Sequence, residues 1–326
     1  MGSQSVLMRA PGTIGNFGGA TNCAALALDA PLNVKVTPRL DGHVGLRYFG
    51  PHGERVPRDR SNLVVRALEA ALHLRGLEFT GADFEIYSSL PVAVGLGSST
   101  AAVLAGLLAA DRLFRLGLDE KALFELATIC EPRQDSLQAA WLGGFVVTTP
   151  EGAAQVHRRT VVPENFTLSV VMPEAPPASR ARRQRSAVRP AGLDAAAHLS
   201  RAETLAEFFG RPGDGRSPWF DTPLPPTCQK QVPGLEDALG VRMPGMLALF
   251  VCGSGPAVGI LAQEESAQAV AAVRECFARR GVNCCVANFR PTNAGAREWN
   301  GVWPQVALPP LRARASAPQK PTFIPV

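Results

Sequence analysis

The sequence contains no Cys-x-x-Cys pair and no His/Cys spacing of the kind that builds a structural zinc site. Its seven cysteines (Cys23, Cys130, Cys228, Cys252, Cys276, Cys284 and Cys285) are odd in number, scattered, and mostly set in apolar runs. That excludes a disulfide framework and predicts reduced, partly buried thiols in a cytoplasmic setting. No run of about 18 apolar residues is free of Gly, Pro and charge, so no membrane span is expected. Residues 1–6 lack a basic region followed by a long apolar stretch, so no signal peptide is expected. Aromatic residues make up only 6% of the chain, and no recognisable nucleic-acid module is present. The net charge of +5 is modest for 326 residues. Its excess lies in Arg180, Arg182, Arg183, Arg185 and Arg189, and in the tail at Arg312, Arg314 and Lys320. Such clusters suit an anionic small molecule as well as nucleic acid, and the reading adopted has neither a nucleic-acid partner nor a membrane.

What is present is ordinary core-forming material, with 46% hydrophobic and 19% charged residues in a length that favours two domains. Residues 5–9, 32–37, 44–48 and 82–90 read as strands. Between the first two lies Ala10-Pro-Gly-Thr-Ile-Gly-Asn-Phe-Gly-Gly19, a turn-rich segment. Helical spacing runs over residues 62–75, with Ser61 as a fair N-cap and Gly76 as a stop. A helix starting near Asp119 is broken by residues 130–136. A short helix at 137–141 and a strand at 145–149 follow. Beyond these, strands are predicted at 167–172, 246–252, 257–262 and 283–289, with helices at 193–209 and 265–281. Residues 173–190 and 211–226 read as irregular connections. This order predicts an α+β fold with helices on one face of an antiparallel sheet. The domains are set at residues 1–150 and 151–307, followed by a Pro-rich tail at 308–326.

The chain is organised around Pro91-Val-Ala-Val-Gly-Leu-Gly-Ser-Ser-Thr100, which leads into an apolar helix with no charge until Asp111. Gly95 and Gly97 permit a close backbone approach to a ligand. Ser98 or Ser99 is placed to cap the helix. Unpaired N–H groups at a helix start suit a phosphate. A plain turn with an N-cap fits the loop alone equally well. No Gly-Lys-Ser/Thr follows, and the third glycine of the dinucleotide fingerprint is missing.

Three segments taken together resolve this. The stretch Pro91-x-x-Val94-Gly95-Leu96-Gly97-Ser98-Ser99 strongly resembles the phosphate-binding motif of the GHMP kinases, which phosphorylate small molecules. Pro11-x-x-x-Gly15-Asn16-Phe17-Gly18 resembles their first motif, and Cys252-Gly253-Ser254-Gly255-Pro256 their third, in the same order. The resemblance implies a two-domain fold, with an N-terminal half like domain 2 of ribosomal protein S5 and a C-terminal ferredoxin-like α/β sandwich. It implies ATP and Mg²⁺ as cofactors and allows a homodimer. Within the family the strongest resemblance is to the homoserine kinases, and hence to a step of threonine biosynthesis. It is carried by Asn62-Leu63-Val64, Leu142-Gly143-Gly144-Phe145 and Val232-Pro233-Gly234-Leu235-Glu236.

On this resemblance Pro91, Val94, Gly95, Leu96, Gly97, Ser98, Ser99, Gly253, Ser254 and Gly255 bind ATP, and Asn62 lies beside its base. Ser99 and Glu125 hold the metal. Asp135 orients the acceptor hydroxyl or accepts its proton, and Asn16, Asn22, Arg133, Asp135 and Arg185 face the acceptor. Plainer roles stay open: Glu125 as a surface residue, Asn62 as a helix start, Asn16 as a turn former, and Ser254 and Gly255 as parts of a tight turn.

The acceptor pocket departs from the homoserine-kinase pattern. Asn22 stands where an acid pairs with the substrate ammonium, and Ala181 where a threonine is expected. Cys228 replaces a second arginine. The His-Pro-Asp-Asn pattern reads Arg133-Gln134-Asp135-Ser136. Three functions therefore stay open: a homoserine kinase, a kinase of another, anionic small alcohol, and a nucleotide-binding relative without activity.

Overall fold

The computed structural model describes residues 5–17, 20–149, 156–174, 195–211, 232–253, 255–264, 266–301 and 303. Strand β1, Val6–Phe17, pairs antiparallel with the 19-residue β2, Ala20–Pro38. The turn-rich segment predicted at residues 10–19 is thus mostly strand. Its glycines allow close packing and its register shifts between Pro11 and Gly12, a bulge that leaves Asp29 exposed. The second half of β2 pairs with β4, Ala82–Ser88, and β4 pairs parallel with β3, Val44–Phe49. The first half of β2 pairs with β5, Phe145–Thr148, which continues to β6, Val156–Thr160. A seventh strand, β11 (Arg297–Glu298), returns from near the end of the chain to β1. The first sheet therefore draws strands from both sides of residue 150. Neither β6 nor β11 was predicted, because short strands with exposed residues carry little periodic signal.

One layer of helices covers this sheet. Helix α1, Leu63–Leu74, is capped by Asn62 rather than by Ser61, which instead bonds Asp59. Helix α2, Ser98–Phe114, is buried on nearly every side from Thr100 to Ala110. A Cβ on its Gly106 would lie 2.3 Å from the Val64 carbonyl oxygen, so α1 and α2 cross in near-backbone contact. Helix α3, Glu120–Cys130, is capped by Asp119. Helix α4, Gln134–Leu142, begins inside the stretch predicted as a break.

The second sheet is antiparallel, with order β10-β7-β9-β8, from Thr167–Pro173 (β7), Met246–Val251 (β8), Val258–Ala262 (β9) and Cys284–Phe289 (β10). Its own apolar layer packs against α6, Leu235–Leu239, and α7, Ala267–Ala278. Helix α5, Ala195–Gly210, covers β2, β5 and β6 of the first sheet. The two sheets meet at Phe17, whose ring packs 5.7 Å from both Phe145 and Phe209 and 4.7 Å from Phe250 of β8. Burying each such side chain contributes about 1.5–3 kcal/mol. Phe17 closes the first glycine segment, so this packing pins that segment between the sheets. The α+β class expected from the sequence is the fold observed. Among the described residues, no helix is long and apolar enough to cross a membrane.

Candidate active site

Three glycine segments far apart in sequence meet backbone to backbone. The N–H of Thr13 in β1 donates to the Leu96 carbonyl at 3.1 Å, and the N–H of Gly253 donates to the Gly15 carbonyl at 3.2 Å. Gly95 and Gly97 have φ of 93° and 72°, a region that side chains rarely adopt. A Cβ on Gly95 would fall 2.0 Å from the Cys252 carbonyl oxygen, and one on Gly97 would fall 2.2 Å from the Thr13 hydroxyl. Pro91, Val94 and Leu96 are buried and anchor the loop to the core. The 95–97 backbone is thus squeezed between β1 and the turn after β8, a geometry open only to glycine at both positions.

The loop ends in Gly97, the N-cap of α2, which supplies no side chain to the first turn. Neither Ser98 nor Ser99 caps the helix, contrary to the sequence-based expectation. The first N–H groups of a 17-residue helix therefore face the loop without a capping side chain, which suits an anionic phosphate. The Ser99 hydroxyl turns to a carboxylate instead, donating to Glu131 Oε2 at 2.5 Å.

That carboxylate is not the one expected. Glu125 points outward from α3, with its side chain 67% exposed and 4.0 Å from Lys121. The buried face of α3 carries Leu123, Leu126 and Ala127. Two steps of four from Leu123 lead through Ala127 to Glu131, whereas Glu125 lies roughly 200° around the helix from Ala127. The apolar stripe was legible in the sequence, and carried one turn further it selects Glu131. A carboxylate four residues before Asp135 was the missed signal.

Glu131 is the C-cap of α3, its N–H held by the Ala127 carbonyl at 2.8 Å. Pro132 follows, and α4 starts two residues later. The turn brings Arg133 back onto Glu131, with its backbone N–H 3.3 Å and its Nε 3.4 Å from Oε1. Asp135, in the first turn of α4, is buried at 3% exposure and accepts the Ser136 N–H at 2.8 Å. Its second oxygen lies against Gly15, 3.1 Å from where a Cβ would stand. Burial pushes the Asp135 carboxyl above the ordinary carboxylate range, and the charge of Arg133 partly opposes this. Nearby hydroxyls of Thr13, Thr100 and Ser136 are buried without a protein partner. The site therefore gathers hydroxyls, two carboxylates and one guanidinium beside a glycine loop at a helix N-terminus.

The oxygen set of Ser99 and Glu131 fits a hard divalent cation. Mg²⁺ asks for few protein carboxylates because waters and substrate phosphates complete its octahedron. Among the described residues, no group of three His, Cys, Asp or Glu side chains that could hold a metal ion is present.

Asn62 uses its side chain within the chain: Oδ1 accepts from the Val64 N–H and Nδ2 donates to the Pro57 carbonyl, both at 2.9 Å. Asn16 and Asn22 lie in β1 and β2, with side chains outside the description. Ser254, Ala181, Arg185 and Cys228 fall outside the described residues.

A model of the GHMP kinase N-terminal domain matches residues 62–144, which span the loop, Ser99, Glu131 and Asp135. A homoserine kinase of Streptomyces coelicolor is 31% identical over 274 residues, covering 82% of this chain and 88% of its own length. The chain belongs to the GHMP kinase family. As a member it is an ATP-using phosphotransferase that acts on an alcohol. A homoserine kinase of Moorella thermoacetica is 29% identical, over 89% of this chain and 98% of its own. The fold matches the crystal structure of a homoserine kinase from Cytophaga hutchinsonii with a TM-score of 0.68 at 21% identity, over 90% of this chain and 97% of that one.

Proposed function

We propose that this GHMP kinase transfers the γ-phosphoryl group of ATP to the hydroxyl of homoserine. The observation that carries the reading is the meeting of three glycine segments around Ser99, Glu131 and Asp135. The names of its relatives support homoserine as the acceptor.

In this reading the main-chain N–H groups of residues 95–99 hold the β- and γ-phosphates. Ser99 and Glu131 hold Mg²⁺, which when bound neutralises charge on the phosphate oxygens. Glu131 takes the metal role that the sequence suggested for Glu125. The bond from the γ-phosphorus to the β,γ-bridging oxygen breaks, and a bond to the acceptor oxygen forms. Asp135 orients the acceptor hydroxyl. Its raised pKa suits a carboxyl that receives the hydroxyl proton late in a loose transition state. Most of the acceleration then comes from positioning and from donors aimed at developing charge.

Arg133, beside Asp135, favours a second acceptor class, an anionic hydroxy acid without an amine. ADP release with homoserine, measured against a panel of hydroxy acids and sugars, separates the two. The homoserine reading expects saturable turnover at millimolar homoserine and fails if there is none.

A further inference from the structure

The guanidinium of Arg133 stands in an unusual place. Its side chain is 16% exposed, and its ion-pair partner Glu131 is 8% exposed. A Cβ on Gly253 would lie 3.0 Å from Arg133 Nη1 and 2.9 Å from the Gly95 carbonyl oxygen. The guanidinium tip therefore reaches the seam between the phosphate loop and the third glycine segment. Its Nε faces the carboxylate that also accepts the Ser99 hydroxyl.

Two consequences follow from charge. A guanidinium has five donors, and its Nε contact to Glu131 is loose at 3.4 Å, so most of its donors remain for an anion. Glu131 carries one negative charge yet serves Ser99, the Arg133 backbone and the Arg133 side chain. A divalent cation arriving at the same carboxylate competes with the guanidinium.

We propose that Arg133 contacts the phosphoryl group during its transfer, and that it competes with the divalent cation for Glu131 when nucleotide is absent. The residue thereby acts as a catalytic cation supplied from within the chain, freed from Glu131 as the metal takes the carboxylate. This rests on the phosphotransfer reading above, and it differs from the acceptor-binding role considered there for Arg133, which would place the loss on the acceptor KM instead of on the transfer step.

The test compares the full-length wild type with Arg133→Gln and Arg133→Lys. Mn²⁺ binding to nucleotide-free protein, followed by electron paramagnetic resonance, should tighten several-fold in Arg133→Gln because Glu131 loses its competitor. Single-turnover transfer at saturating ATP should slow about 100-fold, as for loss of one oriented donor, with the acceptor KM nearly unchanged. Arg133→Lys should recover part of the rate, since a lysine keeps the charge but not the planar fork. The proposal is overturned if the transfer rate is unchanged, if Mn²⁺ binds no tighter, or if the loss falls on the acceptor KM. Should Arg133→Gln fail to fold by circular dichroism, Arg133→Lys carries the same comparison, with a slowed transfer step expected and an unchanged one fatal. A wild type that turns over no acceptor defeats the phosphotransfer reading instead, and the Mn²⁺ comparison still decides whether Arg133 competes for Glu131.

Discussion

Replacing Glu131 and Glu125 separately by glutamine tests which carboxylate belongs to the site. Glu125 is two-thirds exposed, and Lys121 lies 4.0 Å from it across one helical turn. Such a pair contributes about 0.3–0.5 kcal/mol at most, so Glu125→Gln should leave the melting temperature and the rate of ADP release nearly unchanged. Glu131 accepts a 2.5 Å bond from Ser99 and closes over Arg133 in a pocket where both side chains are largely buried. Glutamine keeps the volume and one acceptor but removes the charge. A hydrogen bond to a charged group contributes about 1.5–3 kcal/mol, and leaving a buried partner unpaired costs about 3–5 kcal/mol when nothing replaces it. The retained amide oxygen and the partial exposure of Arg133 reduce that, so a loss near the lower figure, about 1.5–3 kcal/mol, is expected in urea denaturation. Activity should fall more sharply, by about 10²–10³ in kcat at saturating ATP, as expected for losing one oriented electrostatic group. A Glu125→Gln variant that loses activity while Glu131→Gln keeps it would refute the geometry from which the site is built.

Two further outcomes follow. Gly95→Ala places a methyl group 2.0 Å from the Cys252 carbonyl at a φ of 93°. It should destabilise the fold by several kcal/mol, combining backbone strain of about 1–3 kcal/mol with displacement of the turn after β8, and abolish thermal protection by ATP. Scanning calorimetry with and without nucleotide reads both effects. For Asp135, burial raises the folded pKa above its unfolded value. The proton-linked stability is therefore fully present below the unfolded pKa and declines as pH rises through the folded pKa. Asp135→Asn cannot ionise and escapes that decline, so its stability relative to wild type should grow from pH 4 upward, while its phosphotransfer rate falls. Urea denaturation across that range checks the trend, and parallel curves would show that Asp135 ionises freely in the folded chain.

How far the site was legible in the sequence differs from residue to residue. Helix α3 was placed to within a residue or two from its start near Asp119, because apolar spacing is a local signal. The first glycine segment was misjudged as turns, because Gly12 and Gly15 serve close packing against the Leu96 carbonyl and the Asp135 carboxylate, while the Gly15 carbonyl accepts the Gly253 N–H, and only the fold brings these together. Asn62 was read either as lying beside the nucleotide base or as a plain helix start, and its cap bond and its bond to Pro57 show the helix start. Glu125 was chosen by its likeness to a family position, with a plain surface role left open, while the turn from α3 into α4 brings Glu131 to the Ser99 hydroxyl and leaves Glu125 exposed.

The sequence by itself determined the family, the α+β class and the order of three glycine segments, because small residues, caps and apolar periods act over a few neighbouring positions. Only the tertiary structure decided which acid meets Ser99, how β6 and β11 complete the first sheet, and where Arg133 reaches. Those outcomes depend on where a helix stops and what packs across from it, and contacts between residues more than 100 positions apart, such as Gly15 with Gly253, leave no periodic trace in the chain.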